Sequence, residues 1–345
     1  MKDGVSMPSN DKTTAIALDC MGGDNAPAAQ VEGAVRAIHE ADLNMILVGD
    51  EAKIKNELRK HNASNLPLQI RHTTEIVTNE DQPTSVVRRK KDSSLVVACR
   101  LVSEGEAGAV LSCGNTGALL AAGLFVIGRM RGVERPALAP ILPTKDGNGF
   151  LLLDAGANAE GKPEYLLQYA IMGSLYQHLV CGIKEPRVGL LNVGTEEGKG
   201  NELYKATYNL LKDAPVHFVG NVEARELTDG VADVVVCDGF TGNILLKCTE
   251  GMGSLIADMI QEELKRDVIS KVGAAIALPA IKRLKKRLDY AEYGGSPFLG
   301  LNGLAVKAHG SSNALAVFGA LMTVQGFIQS DMNRLLKQTL DTMQA

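Results

Sequence analysis

The sequence predicts an α/β protein with a Rossmann-like, mostly parallel sheet and helices on both of its faces. Strand-like apolar runs alternate with helical patterns from Thr14 onward, which is the order that builds parallel sheets. Several of these runs end in short loops of Gly, Asn, Asp, Ser and Thr that open onto a helix. The 345 residues, 45% of them apolar, are enough for a large core. We expect a disordered tail over residues 1–13, one α/β domain over residues 14–330, and the end of a C-terminal helix over residues 331–345.

The first half of the chain contains four predicted strands and four predicted helices. Apolar runs bounded by turn residues predict strands at 14–19, 44–48, 68–70 and 109–112. Apolar residues at helical spacing predict helices from Pro27, over 51–61, over 94–103 and over 118–127. Residues 79–91 are predicted to be irregular because they contain Pro83 and a run of four basic residues. That run is either a solvated face or a site for an anionic partner.

The second half continues the alternation and adds a helical hairpin. Strands are predicted at 137–142, 149–153, 187–191, 216–219, 232–237 and 303–307. Helices are predicted over 165–179, 202–211, 252–264 and 279–288, and from 314 to the C-terminus. The two helices within residues 252–290 are expected to form the hairpin, and the apolar run 274–278 is expected to form its tip.

Composition excludes several classes of protein. A net charge of −4, aromatic residues at 4% and no tryptophan argue against a nucleic-acid-binding protein. The six cysteines are scattered without a C-x-x-C pair, which is typical of reduced core cysteines in a cytoplasmic protein. The N-terminus has no apolar signal-peptide core, and no window is apolar for the roughly 18 residues that a membrane span needs.

Six strand-end loops are the most informative feature of the sequence. In an open parallel sheet the carboxyl ends of the strands share one edge, and ligands bind in the crevice there. Glycine loops and helix N-termini present bare N–H groups that suit phosphate or a carboxylate. Helix capping and tight turns are the alternative interpretation of individual residues. The loops cover residues 19–24, 113–117, 154–158, 192–201, 238–243 and 307–313.

The titratable residues of these loops suggest what they can do. Lys199 and Lys307 are cations on glycine loops, and His309 is the histidine of the last loop. Three aspartates end strands, where they cap a helix, orient a lysine or bind a metal: Asp19, Asp154 and Asp238. No spacing typical of metal ligands is present, so we expect neither a metal nor a cofactor. Cys113 adjoins a glycine loop, but no loop histidine lies near it in sequence, which disfavours a cysteine nucleophile.

Several loop motifs, in this order, resemble the phosphate acyltransferases of bacterial phospholipid synthesis. The resemblance runs from about Thr14 to about Phe327. Cys20 and Cys113 depart from it, since other small or apolar residues are expected at those positions. The motifs are Leu18-Asp19-Cys20-Met21-Gly22-Gly23-Asp24, Gly114-Asn115-Thr116-Gly117-Ala118, Leu153-Asp154-Ala155-Gly156-Ala157-Asn158, Cys237-Asp238-Gly239-Phe240-Thr241-Gly242-Asn243 and Lys307-Ala308-His309-Gly310, together with the 192–201 loop.

The resemblance implies a reaction in which a fatty acyl group passes from acyl carrier protein to inorganic phosphate. The products are acyl phosphate and free carrier protein. It also implies a homodimer, and a fold similar to phosphotransacetylases and to isocitrate and isopropylmalate dehydrogenases. The acyl phosphate would pass to a membrane glycerol-3-phosphate acyltransferase. The protein is therefore expected to be cytoplasmic, with contact to the membrane.

Our hypothesis for individual roles follows from the chemistry of phosphate attack on a thioester. Lys199 is expected to neutralise phosphate, and Asn243 and Asn115 to donate to the thioester oxygen. His309 or Lys307 is expected either to protonate the leaving thiolate or to hold phosphate. The remaining candidates are expected to bind substrate: Asp19, Gly22, Gly23, Asp24, Thr116, Asp154, Asn158, Asn192, Gly194, Gly198, Asp238, Thr241 and Ser311.

The predicted basic helix around Lys282 to Arg287 has two functional interpretations. A local basic surface on an acidic protein suits docking of an acidic carrier protein. A basic amphipathic helix also suits an anionic membrane surface. Because the product has to reach a membrane enzyme, we favour peripheral membrane contact through residues 274–288 over a solvated or dimer-forming helix.

Two alternatives to the transferase remain open at this point. A dehydrogenase on a similar fold is the first, although the sequence has no G-x-G-x-x-G fingerprint. A non-catalytic phosphate- or lipid-binding protein is the second, because it would keep the glycine loops without turning over a substrate.

Overall fold

The computed structural model describes residues 14–288 and 294–343. Backbone contacts divide the chain into two compact units, one from residues 1–132 and 301–345 and the other from residues 133–300. The predicted tail over residues 1–13 lies outside the described residues. The single domain predicted over residues 14–330 stays a prediction, and each unit is described by itself below.

Most strands and helices lie within a few residues of their predicted bounds. Strands lie at β1 (Ile16–Asp19), β2 (Met45–Gly49), β3 (Gln69–His72), β4 (Ala109–Ser112), β5 (Ala137–Leu138), β6 (Ile141–Leu142), β7 (Phe150–Leu153), β8 (Arg187–Asn192), β9 (His217–Glu223), β10 (Val234–Val236), β11 (Ser296–Leu299) and β12 (Leu304–Lys307). Helices lie at α1 (Ala28–Ala41), α2 (Glu51–Lys60), α3 (Pro83–Arg89), α4 (Ser94–Ser103), α5 (Thr116–Ala122), α6 (Pro163–Leu179), α7 (Glu202–Lys212), α8 (Gly239–Lys265), α9 (Val268–Leu288), α10 (Ala314–Gln329) and α11 (Met332–Met343). A π-helical turn (Gly123–Ile127) follows α5, and a 3₁₀ turn (Ala224–Asp229) follows β9.

The first unit contains the parallel strands β3-β2-β1-β4-β12, in that spatial order. In β1, Leu18 pairs with Leu47 of β2 on one side and with Leu111 of β4 on the other. Every residue of β1, β2 and β4 is buried. Successive side chains of a strand point to opposite faces, so both faces of these strands are covered. Their nearly continuous apolar runs are the sequence signature of that environment.

The second unit contains the strands β6-β7-β10-β8-β9. Strands β7, β10, β8 and β9 are parallel, whereas β6 runs antiparallel to β7. Strand β11 pairs with β5 in an antiparallel arrangement. The mostly parallel α/β class predicted from the sequence is therefore confirmed in both units.

Several local predictions are wrong. Helix α8 begins at Gly239, inside the predicted 238–243 loop, and α9 begins at Val268 rather than near Pro279. Residues 83–89 form helix α3 because Pro83 occupies its first turn, where a missing N–H costs nothing, and Val86 is buried. Strand β11 was not predicted, since its first residues follow a Gly-Gly break and include Pro297. The final helix is not continuous: α10 ends at Gln329, and Asp331, with a φ of 51°, separates it from α11.

The hairpin region consists of α8 and α9, which are separated by Arg266 and Asp267. Residues 274–278 lie inside α9, so the prediction that they form the tip is wrong. The apolar residues between Met252 and Ile260 are exposed and make a surface of α8. Residues 289–290, and the side chains of Lys282 and of residues 284–288, lie outside the described residues, so the predicted basic face of α9 is not described.

Candidate active site

The structure assigns the six predicted loops to two sheets, so the prediction of one shared edge is wrong. Loops 19–24, 113–117 and 307–313 follow β1, β4 and β12 in the first unit. In the second unit, loops 154–158 and 192–201 follow β7 and β8, and residues 238–243 follow β10 as the cap and start of helix α8. Within each unit the three strands are neighbours, so each unit brings three of its loops together. Strand order depends on pairing between distant segments, which the six similar loop sequences do not reveal.

The three loops of the first unit are in direct contact. The Asp24 amide donates to the Gly310 carbonyl at 2.8 Å. A Cβ on Gly22 would lie 2.9 Å from the Gly114 nitrogen, which is closer than a side chain allows. Gly22 is therefore required here by the approach of two backbones, and the three loops pack closely at this edge.

Asp19 is a buried carboxylate that supports these loops from the protein interior. Its Oδ2 accepts from the Ser112 hydroxyl at 2.7 Å, and its Oδ1 accepts from the Met21 amide at 3.2 Å. Burial raises the pKa of this carboxyl, while the hydrogen bonds act against that rise. Both oxygens are used within the protein, so Asp19 shapes the loops from below.

Lys307 and His309 lie on the third loop of the first unit. The Lys307 ammonium donates to the carbonyls of Ala308 and, at 3.4 Å, Cys113. His309 is exposed, and its Nδ1 lies 2.7 Å from the Ser311 hydroxyl and accepts the Ser311 amide at 3.2 Å. When Nδ1 accepts, a neutral imidazole carries its proton on Nε2. The Nε2 nitrogen of His309 is then able to donate a hydrogen bond to a ligand.

Asn115 and Cys113 have local roles in the same unit. The Asn115 Oδ1 accepts from Ala118 at 2.9 Å and caps α5, and Thr116 begins that helix. Burial raises the pKa of Cys113 to about 11, which keeps it a thiol and agrees with the absence of a cysteine nucleophile from our hypothesis.

In the second unit, the start of α8 packs closely against the 154–158 loop. A Cβ on Gly242 would lie 1.9 Å from the Asp154 carbonyl oxygen, and one on Gly239 would lie 2.3 Å from the Asn158 carbonyl oxygen. Gly156, with a φ of 121°, lies against the Asn243 side chain. The glycines are therefore fixed by close packing of helix on loop.

Asp154 is a buried carboxylate that holds the 154–158 loop in shape. Its Oδ1 accepts from the amides of Leu138 at 3.0 Å and Ala157 at 2.9 Å, and its Oδ2 accepts from the Asn158 amide at 2.7 Å. Burial raises the pKa of the carboxyl, against the influence of these donors. The Asn158 side chain is held as well, by the Pro136 carbonyl at 2.7 Å. Both residues shape the loop.

Asp238 caps helix α8. Its Oδ1 accepts from the Thr241 amide at 3.0 Å, and its Oδ2 accepts from the hydroxyls of Tyr204 at 2.6 Å and Thr241 at 2.7 Å. Burial acts to raise the pKa of Asp238, but these hydrogen bonds outweigh it and the pKa is lowered. Because a negative charge near a helix N-terminus interacts favourably with the helix dipole, the Asp238 carboxylate stabilises this 27-residue helix.

The 192–201 loop is held from inside and presents its lysine at the surface. The Asn192 amide nitrogen donates to the Lys199 carbonyl at 3.1 Å, and that of Asn221 donates to the Glu196 carbonyl at 2.8 Å. The Lys199 ammonium lies 3.7 Å from Glu196, and its side chain is 49% exposed. Gly194 is buried, whereas Gly198 has open space around its Cα. A loose, exposed ion pair of this kind is readily replaced by an anionic ligand.

Two side chains of the site were missed by sequence reasoning. Asn221 lies in the middle of β9, and Tyr204 lies in the first turn of α7. Neither belongs to a glycine loop, so no local pattern marks them. Within the described part of the chain, no group of three or more His, Cys, Asp or Glu residues is placed to hold a metal ion. No helix among those residues has the length and apolar character needed to cross a bilayer.

Comparison with known proteins bears on whether this chain is a transferase, a dehydrogenase or a non-catalytic binding protein. Residues 14–335 match the model of a family described as fatty acid synthesis protein. The chain belongs to this family. A phosphate acyltransferase of Halalkalibacterium halodurans is 53% identical over 323 residues, covering 93% of this chain and 95% of the relative. One from Bacillus cereus is 52% identical over 318 residues, covering 92% and 95%. The chain is therefore an acyltransferase, and it is similar to bacterial phosphate acyltransferases over most of its length.

Solved structures place this fatty acid synthesis protein in a known fold. A phosphotransacetylase from Streptococcus pyogenes superposes with a TM-score of 0.62 over 92% of this chain and 94% of that one, at 16% identity. A branched-chain phosphotransacylase from Enterococcus faecalis gives a TM-score of 0.57 over 92% and 99%, also at 16% identity. The predicted likeness to the phosphotransacetylase fold is confirmed. The names of the relatives favour the transferase over the dehydrogenase and the non-catalytic alternatives.

Proposed function

We propose that the enzyme transfers a fatty acyl group from acyl carrier protein to inorganic phosphate, giving acyl phosphate for phospholipid synthesis. The observation that carries this proposal is the match, over nearly the full length of both chains, to relatives named phosphate acyltransferase. The description of the family, fatty acid synthesis protein, supports an acyl donor from that synthesis. The proposal adds the carrier-bound donor and the acyl phosphate product.

The reaction needs positioning and charge neutralisation more than a protein nucleophile. A phosphate oxygen attacks the thioester carbon and forms a C–O bond, which creates a tetrahedral oxyanion. Collapse of this intermediate breaks the C–S bond and releases acyl phosphate and a thiolate, which takes up a proton to become the carrier thiol. Helix N-termini and exposed N–H groups suit both anions. The buried, protonated Cys113 fits a route without a cysteine nucleophile.

We assign the exposed polar groups to substrate and the buried carboxylates to support of the loops. We assign Lys199 to the phosphate charge and Asn243, exposed near the start of α8, to the developing oxyanion. His309 is assigned to protonate the thiolate, with Lys307 as the alternative, because a general acid has to carry a transferable proton. Exposed Asp24 and Ser311 remain assigned to substrate.

Trapping the product with hydroxylamine tests the proposal. The enzyme is mixed with an acyl carrier protein thioester and inorganic phosphate, and acyl phosphate is converted to the hydroxamate. Phosphate-dependent hydroxamate is expected. A reaction without phosphate measures direct attack of hydroxylamine on the thioester. Equal hydroxamate with and without phosphate contradicts the proposal.

We also propose two partners for the exposed surfaces of α8 and α9. Met252, Leu255 and Met259 recur at spacings of three and four residues along α8 and are about half exposed. This repeat is typical of helix pairing, and we propose that a second copy covers it in a homodimer. On α9, exposed Ile276 and Leu278 support the proposed peripheral contact with the membrane, where a glycerol-3-phosphate acyltransferase would take the product.

A further inference from the structure

Tyr204 connects the 192–201 loop, which carries Lys199, to residues 238–243, which carry Asn243 and form the cap and start of helix α8. Its side chain is buried in the first turn of α7, directly after residues 192–201. Its hydroxyl donates to Asp238 Oδ2 at 2.6 Å and lies 3.3 Å from the Thr241 hydroxyl. The tyrosine that follows the 192–201 loop therefore contacts Asp238, the capping residue of helix α8.

Tyr204 is also fixed to its own loop. Its amide donates to the Asn201 Oδ1 at 3.2 Å, which caps α7. A Cβ on Gly200, whose φ is 91°, would lie 2.9 Å from the Tyr204 Cβ, so a side chain at position 200 would clash with the tyrosine. A shift of the loop end therefore moves the tyrosine hydroxyl with it.

Each loop has its own internal supports that do not involve the Tyr204 hydroxyl. Asn192 and Asn221 hold the first loop, through the Lys199 and Glu196 carbonyls. At the start of α8, the Thr241 amide donates to Asp238 directly. Loss of the tyrosine hydroxyl should therefore leave both loops folded while it releases one from the other.

We propose that Tyr204 is a positioning residue that sets the placement of Lys199 relative to the start of α8 and Asn243. This inference rests on the proposed function, in which Lys199 holds phosphate and Asn243 faces the thioester oxygen. Reaction between two bound groups depends steeply on their separation, and a misplacement of about 1 Å costs about 100-fold in rate. Binding of phosphate alone depends only on the first loop.

The kinetic signature is a fall in kcat with little change in the KM for phosphate. For Tyr204→Phe we expect kcat to fall about tenfold or more, with the KM for phosphate changed less than about twofold. The matched control is Tyr208→Phe, the same substitution one turn later on α7. The Tyr208 ring packs edge-on against Phe218 with centroids 5.2 Å apart, and no hydrogen bond from its hydroxyl is present among the described residues. The control is expected to keep wild-type kcat.

A structural measurement keeps the inference testable apart from turnover. Hydrogen exchange of the amides is followed by mass spectrometry in peptides that cover residues 192–201 and 238–243. Tyr204→Phe should speed exchange in both loops, and Tyr208→Phe in neither. If the wild-type enzyme gives no phosphate-dependent hydroxamate, the proposed function fails while this comparison still tests the coupling. Wild-type exchange in both loops of Tyr204→Phe, or a wild-type kcat, overturns the inference.

Discussion

Buried and exposed members of the same loops have different roles. Asp19 and Asp154, which the sequence marks as ligand candidates, have their carboxylates filled by donors from the protein. They hold loops in shape, because a buried carboxylate needs hydrogen bonds from its surroundings. Lys199, Asn243 and His309 are exposed and can reach a ligand. Exposure therefore separates the groups that we propose to act on substrate from the buried carboxylates that hold the loops in shape.

Replacing Lys199 tests the phosphate assignment. In Lys199→Ala we expect the KM for phosphate to rise about tenfold or more, because a charge-assisted contact to the dianion is lost. Steady-state hydroxamate formation at varied phosphate measures it. Lys205→Ala is the control, since Lys205 is an exposed lysine on α7 with a similarly loose ion pair, 3.5 Å from Glu202. An unchanged KM for phosphate in Lys199→Ala would make the assignment wrong.

At the scale of elements, helix α8 depends on the space at its first turn. Its N-terminal end approaches the 154–158 loop so closely that glycine is required at positions 239 and 242. Its middle is different, because Gly251 has nothing near its Cα. The same residue type therefore serves close packing at one end of the helix and is merely tolerated in the other part.

Two substitutions to alanine on α8 should have opposite effects. Gly242→Ala forces a Cβ onto the Asp154 carbonyl, and we expect it to lower the free energy of unfolding by roughly 2–3 kcal/mol. Gly251→Ala should raise it by about 0.5–1 kcal/mol, because alanine has the better helix propensity. Urea unfolding followed by circular dichroism measures both. A stabilised Gly242→Ala variant would show that the loop yields easily.

The exposed apolar residues of α9 carry the membrane proposal. Changing Ala275, Ile276 and Leu278 to Asp should abolish flotation of the enzyme with anionic vesicles, because three charges cannot enter the apolar layer. The control carries Ile276→Val and Leu278→Met, which keep the apolar character. Equal flotation of wild type and the Asp variant would exclude membrane contact through this helix.

At the scale of the whole molecule, the homodimer is tested through α8. Met252→Lys together with Met259→Lys places two charges in the proposed contact, and we expect the sedimenting mass to fall from that of two chains to that of one. Gln261→Lys, an exposed position on the opposite side of α8, is the control and should stay dimeric. A monomeric wild type, or a double variant that remains dimeric, contradicts the proposal.

The sequence by itself determined the α/β class, most element bounds and the glycine loops. These follow from local causes: apolar runs such as Val234–Val236, and capping residues such as Asn201 and Asp238. Helix α3 escaped prediction because Pro83 was taken as a breaker, whereas at the start of a helix it is favourable.

Only the tertiary structure decided which loops meet and which polar groups are left for a ligand. The sequence gives β1, β4 and β12 no mark that distinguishes their loops from those of β7, β8 and β10, because strand pairing joins residues far apart in the chain. Burial of Asp19 and Asp154, and the reach of Tyr204 to Asp238 across 34 positions, are likewise products of packing. The sequence determines which residues each loop contains, whereas non-local packing determines which of their polar groups are exposed to a ligand.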